Sequence, residues 1–150
     1  MSNNDIQQQT TVNIQEKANL IWAIADKLVG VYKPHEYGNV ILPMCVIKRF
    51  EDTLTPTKEK VLATNEKLDK DGIVVKKGFL ESAAEQKFYN LSPFDFQKLL
   101  NAPENIKVNF ESYLNHFSDN VIDIIHRMDF DREIEKMADN GVLYLVIKEF

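Results

Sequence analysis

Residues 21–54 read IWAIADKLVGVYKPHEYGNVILPMCVIKRFEDTL, and the spacing of their apolar residues decides the fold class. Followed back to Ile14, the positions Ile14, Ala18, Ile21, Trp22, Ala25, Leu28 and Val29 recur at steps of three and four. That is the period of one helix face. The sequence therefore predicts a helix from about Ile14 to Val29, with Trp22 in the core. Gly30 stops it. In Tyr32-Lys33-Pro34 the residue before proline is pushed out of the helical region, so the chain turns there. A second helix is expected from about Glu36 to Leu54. Val40, Met44, Ile47 and Leu54 share one side, and Ile41, Cys45 and Phe50 widen it. Pro43 lacks a backbone donor and predicts a kink. Lys48, Arg49, Glu51 and Asp52 fall off the apolar stripe.

Upstream, residues 1–13 (MSNNDIQQQTTVN) are polar and nearly free of large apolar groups. They read as a flexible tail ahead of one helical domain, residues 14–150. Downstream, Thr55-Pro56 restarts a helix that runs with Val61, Leu62 and Leu68 to about Lys70. Asp71-Gly72 is a turn. Ile73-Val74-Val75 is β-branched, but one isolated run cannot make a sheet. Ser92-Pro93-Phe94-Asp95 carries the residues of a helix start. Further helices follow from Pro103, Ser118 and Asp131. The run Val142 to Ile147 is apolar throughout and, lying at the end of this chain, calls for a cover, as in a larger protein. The expected fold is all-α, with about seven to nine helices, some short, and little or no strand.

With 150 residues, 44% of them hydrophobic, the chain suits one domain with a real core. The single cysteine, Cys45, excludes an internal disulfide framework and a cysteine-rich metal site. No segment has the pattern of a signal peptide or the length of a membrane span, so a cytoplasmic setting is expected. The net charge of −5 argues against a freestanding nucleic-acid binder. It is unevenly placed: residues 41–80 hold eight basic and six acidic residues, net +2, and the remainder is net −7. A DNA contact belongs in the first half and needs added positive charge from a partner.

Catalytic patterns are scarce. The five glycines are scattered, so there is no phosphate-binding loop. His35, His116 and His126 lack ligand spacing, and no metal is expected. Asp129/Asp131 and Glu133/Glu135 read as a charged helix face rather than an acid-base pair. Two features remain as candidate DNA or subunit contacts. One is the turn bearing Lys33, His35 and Tyr37; the other is Lys48 with Arg49.

The same residues resemble a known family. Trp22, the turn Tyr32-x-Pro34-x-Glu36-Tyr37, and Val40-Ile41-Leu42-Pro43-x-x-Val46-x-x-Arg49 look like the N-terminal domain of type I modification subunits. The likeness continues through Phe88-Tyr89-Asn90, Ser92-Pro93-Phe94, Tyr113-Leu114-Asn115, Asn120-Val121 and Leu143-Tyr144-Leu145-Val146. It covers about 130 of the 150 residues, in order. It implies a full-length adenine-N6 DNA methyltransferase that uses S-adenosylmethionine and works with a specificity subunit and a restriction subunit. The family's Phe-x-Gly-x-Gly and Asn-Pro-Pro-Phe/Tyr motifs belong to a following Rossmann-like domain, and neither occurs in this chain. No catalytic or cofactor-binding residue is carried over, and the chain alone is expected to be inactive. A second reading is a freestanding helical adaptor that docks partners through its terminal apolar run.

Overall fold

The computed structural model describes residues 2–150, and every regular element among them is helical. The α-helices are α1 (Asn3–Leu28), α2 (Gly38–Leu54), α3 (Lys58–Lys70), α4 (Lys77–Ala84), α5 (Phe96–Leu99), α6 (Ile106–Asn115), α7 (Asp119–Arg127), α8 (Phe130–Asp139) and α9 (Leu143–Lys148). Three single 3-10 turns precede α2, α3 and α6. The only β-type contacts among the described residues are two isolated bridges, Val29 with Tyr32 and Asn90 with Phe117. The all-α expectation holds.

α1 begins eleven residues earlier than its apolar stripe suggests. Ser2 caps it: the Ser2 hydroxyl accepts from the Asp5 amide at 3.2 Å, and the Asp5 carboxylate returns a bond to the Ser2 amide at 3.3 Å. This reciprocal pair satisfies two orphan donors, and the glutamines that follow are good helix formers. The stretch read as a tail is thus helical, yet residues 2–17 are all exposed and lie against nothing else. Gly30, at φ +85°, then turns the chain in a conformation that costs other residues strain.

The core contradicts one expectation outright. Trp22 is 71% exposed. The domain takes the other side of α1 through Ile24 and Leu28, which are fully buried. At 100° per residue, Trp22 stands roughly 160° around the helix from Ile24, so the two cannot face one core. Phe110 is fully buried as expected. It stands edge-on to Phe96 at 6.1 Å and to Phe130 at 6.5 Å, an arrangement that places positive ring edges on negative ring faces.

α2 runs unbroken past Pro43, which is buried within it. α3 and α4 form a helical hairpin, and α4 has no counterpart in the sequence reading. The helix after Ser92-Pro93 starts later than that motif suggests. Ser92 closes a local turn by accepting from the Phe94 amide at 3.0 Å, and Asp95 becomes the true cap, accepting from Lys98 at 2.7 Å. The terminal apolar run needs no outside cover. It forms α9, whose Leu143, Val146 and Ile147 are buried against α1, α5, α6 and α8.

Candidate functional site

The turn between α1 and α2 is fastened from one side. Lys33 donates its backbone amide to the Glu36 carboxylate at 2.8 Å, and that bond, with Lys136 nearby, holds the Glu36 pKa below its ordinary value. Tyr32 is buried beneath the turn, and its hydroxyl donates to the Glu133 carbonyl on α8 at 3.3 Å. The Lys136 ammonium covers the Tyr32 ring at 4.2 Å and reaches Glu36 at 4.0 Å. Burial, followed by the neighbouring Glu133, raises the Tyr32 pKa well above the tyrosine range. Anchored in this way, the turn presents Lys33 and His35 to solvent, while Tyr37 is half-buried against the core.

Lys48 and Arg49 sit eleven and twelve residues beyond Tyr37, about 16–18 Å along the helix axis at 1.5 Å per residue. The five candidates therefore form two groups, not one cluster. The two basic residues also differ in kind. Arg49 is exposed, and no carboxylate among the described residues lies within ion-pair distance of it. Lys48 is committed internally: its ammonium lies 3.2 Å from Glu51 and 3.3 Å from Asp52, and 5.2 Å above the Phe96 ring. Burial works against that charge, but Glu51 and then Asp52 outweigh it and hold the Lys48 pKa above the ordinary lysine value.

Glu51, placed on the surface by periodicity, is one of the most enclosed charges of the domain, with its side chain 11% exposed. It receives Lys48 on one oxygen and the Phe96 amide on the other at 2.8 Å, so it caps the start of α5 from α2. Beside it lies a cavity of about 200 Å³ bounded by Glu51, Lys58, Asn90, Asp95, Lys98 and Tyr113. Asn90 is buried and hydrogen-bonded on both ends. It donates to the Tyr113 carbonyl at 3.0 Å and accepts from the Ser92 amide at 2.7 Å and the Lys58 ammonium at 2.9 Å. Burial pushes the Lys58 pKa down to about 8 despite Glu51 and Asp95. The same burial raises the Tyr113 hydroxyl far above its usual range, with Glu51 adding to it. Sequence reasoning passed over this site because its members come from four separate segments.

Among the described residues no group of three or more metal-ligating side chains converges, and no helix is long and apolar enough to cross a membrane. No curated protein and no solved structure matches the chain. A family model does, over residues 17–150: that of the HsdM N-terminal domain. Full-length subunits of this kind are adenine methyltransferases that use S-adenosylmethionine, and the family implies specificity and restriction subunits as its partners. The matched segment takes in the fastened turn, α2, the Asn90 site and the buried α9, so the chain belongs to the N-terminal domain family of the type I restriction-modification methylase subunit.

Proposed function

We propose that this domain helps the full-length adenine-N6 methyltransferase engage DNA and assemble with its partner subunits, and that it takes no part in the methyl transfer itself. The candidate contacts are Lys33, His35, Tyr37, Lys48 and Arg49. The observation that carries the reading is the availability of Lys33 and Arg49. Both are exposed, and neither has a carboxylate within ion-pair distance among the described residues. An uncompensated cation binds phosphate by releasing counterions; a cation already held by two carboxylates does so poorly. Lys48 therefore contributes least of the three basic groups. Methylation requires the adenine to leave the stack, and a helical domain beside the catalytic one can hold the flanking duplex while it does. No residue here is assigned to S-adenosylmethionine. The cavity beside Lys58 has no glycine-lined backbone to receive it, and its floor is occupied by the Lys58–Asn90 bond.

The test uses the assembled methyltransferase complex and the salt dependence of its DNA affinity. Lys33→Glu and Arg49→Glu should each weaken binding to every duplex alike and lower the salt slope by roughly one unit per lost contact. Lys48→Gln should leave the slope unchanged. If the subunits dissociate while the slope of any remaining complex stays the same, the surface is a protein dock. Intact assembly with unaltered slopes returns these residues to plain solvated surface.

A further inference from the structure

Lys58, the first residue of α3, lines the cavity shared with Glu51, Asn90, Asp95, Lys98 and Tyr113. Its side-chain nitrogen lies 2.9 Å from Asn90 Oδ1 and 5.8 Å from the centre of the Tyr113 ring. No carboxylate among the described residues lies within ion-pair distance of it. Glu51, in the same cavity, is already engaged by Lys48 on one oxygen and the Phe96 amide on the other. Asp95 caps α5 through the Lys98 amide. Lys58 thus differs from Lys48, which is held by two carboxylates.

A half-buried ammonium calls for a carboxylate, whereas an uncharged amine needs only an acceptor for one N–H. Asn90 is such an acceptor. Its side chain is fixed by donating to the Tyr113 carbonyl at 3.0 Å and accepting from the Ser92 amide at 2.7 Å, so its oxygen, not its nitrogen, faces Lys58. Burial accordingly brings the Lys58 pKa down to about 8, against the pull of Glu51 and Asp95. The uncharged amine keeps a lone pair, and beside it lies open space of about 200 Å³. A desolvated lysine of this kind is a nucleophile. The two carboxylates of the cavity wall disfavour an anionic reagent and favour a neutral carbonyl.

We propose that Lys58 is an acylation site, taking the acyl group of a small neutral thioester that enters this cavity. The uncharged Nζ attacks the thioester carbonyl carbon. A C–N bond forms, the C–S bond breaks with its electron pair going to sulfur, and the proton shed by the nitrogen ends on the departing thiolate. The products are a neutral amide and a free thiol. The amide retains one N–H for Asn90, and no charge is left to bury.

The test exposes the 150-residue chain to substoichiometric S-acetyl-N-acetylcysteamine and maps the acetylated lysines by mass spectrometry. At pH 8 an ordinary lysine is uncharged in only about one molecule in 250. Even with access narrowed by the cavity, Lys58 should therefore react about tenfold faster or more than the exposed Lys60 and Lys67 of the same helix. Its rate should reach half its maximum near pH 8, while theirs climbs to beyond about pH 10. In denaturing urea the preference should vanish. Asn90→Asp supplies the missing carboxylate and should bring Lys58 down to the rate of the exposed lysines; Lys58→Arg should remove the one labelled peptide and leave the others unchanged. Acetyl phosphate, an anion, should show no preference for Lys58. The proposal is overturned if native Lys58 reacts no faster than Lys60 and Lys67, or if its rate rises with pH only as theirs does. It is also overturned if the preference survives urea, which would trace it to local sequence, or if a folded Asn90→Asp variant keeps it. A stronger preference with acetyl phosphate than with the thioester would overturn the class of reagent and the proposal with it. The pH profile of the unaltered chain decides the matter if Asn90→Asp does not fold.

Discussion

At the scale of single residues, burial and chemistry part company at Trp22, Glu51 and Lys58. Trp22 belongs to the helical period of α1 yet stands in water; Glu51 falls off the period of α2 yet lies inside. Periodicity reports which residues share a face, not which of two apolar faces the domain covers. α1 has more apolar surface than its own domain uses, and the sequence alone cannot choose between the sides. The consequence for stability is direct. Trp22→Ala should change the unfolding free energy by no more than about 0.5 kcal/mol, as for other exposed positions. Phe110→Ala, removing a fully buried ring with aromatic neighbours, should cost about 3–5 kcal/mol. Chemical denaturation of the two variants distinguishes them, and a large loss for Trp22→Ala would mean that the face of α1 has been misassigned.

At the scale of elements, α1 consists of two unlike pieces. Residues 18–28 are held by the core, whereas residues 3–17 rest only on their own backbone hydrogen bonds, the Ser2 cap and side-chain bonds such as Gln15 to Asn19 at 3.0 Å. An isolated helix of that length is marginal in water, since most helical stability comes from packing. Deleting residues 2–17 should remove a corresponding share of the helical circular-dichroism signal and leave the melting temperature within about 2 °C. A clear drop in melting temperature would show that the free segment braces the domain.

What was legible in the sequence also divides along the elements. α1, α2, α6 and α7 announce themselves by their apolar period. The α1 start was overlooked because Ser2-x-x-Asp5 precedes polar residues, not the apolar run that makes a capping box recognisable. α4 is short and its Leu80, Ala83 and Ala84 give too brief a pattern to stand out. Of the basic candidate contacts, Lys33 and Arg49 were readable as exposed positions. Lys48's commitment to Glu51 and Asp52 was implicit in the three- and four-residue spacing, but the Asn90 cavity depends on tertiary placement that no local pattern encodes.

Over the whole molecule, acid-base balance offers a test of the core around Asn90. The Lys58 pKa, about 8 in the folded chain, lies below the ordinary lysine value of about 10.4. Between these values the unfolded chain binds more protons than the folded one, so this group makes stability rise with pH from about 8 to about 10. Below pH 8 both states hold the proton, and the cost of burying the ammonium is fully present. Tyr32, Tyr89 and Tyr113 act in the opposite direction above pH 10: their raised folded values mean that the unfolded chain ionises first, and stability falls. The expected profile has a maximum near pH 10. Lys58→Met should flatten its rising limb and leave the alkaline fall in place, as read from melting temperatures across pH 7–11. A rising limb that persists in the variant would assign it to other groups.

The position of Trp22 has an optical consequence as well. It is the chain's one indole, and it stands in solvent on the far side of α1 from the core. Its emission is therefore already that of a hydrated ring in the native state and changes little when the core melts, so it is a poor gauge of folding. Anything that settles on that side of α1 must displace the water around it and move the emission to shorter wavelength. The domain thus carries a built-in fluorophore that is nearly silent to its own unfolding and responsive to the arrival of a partner.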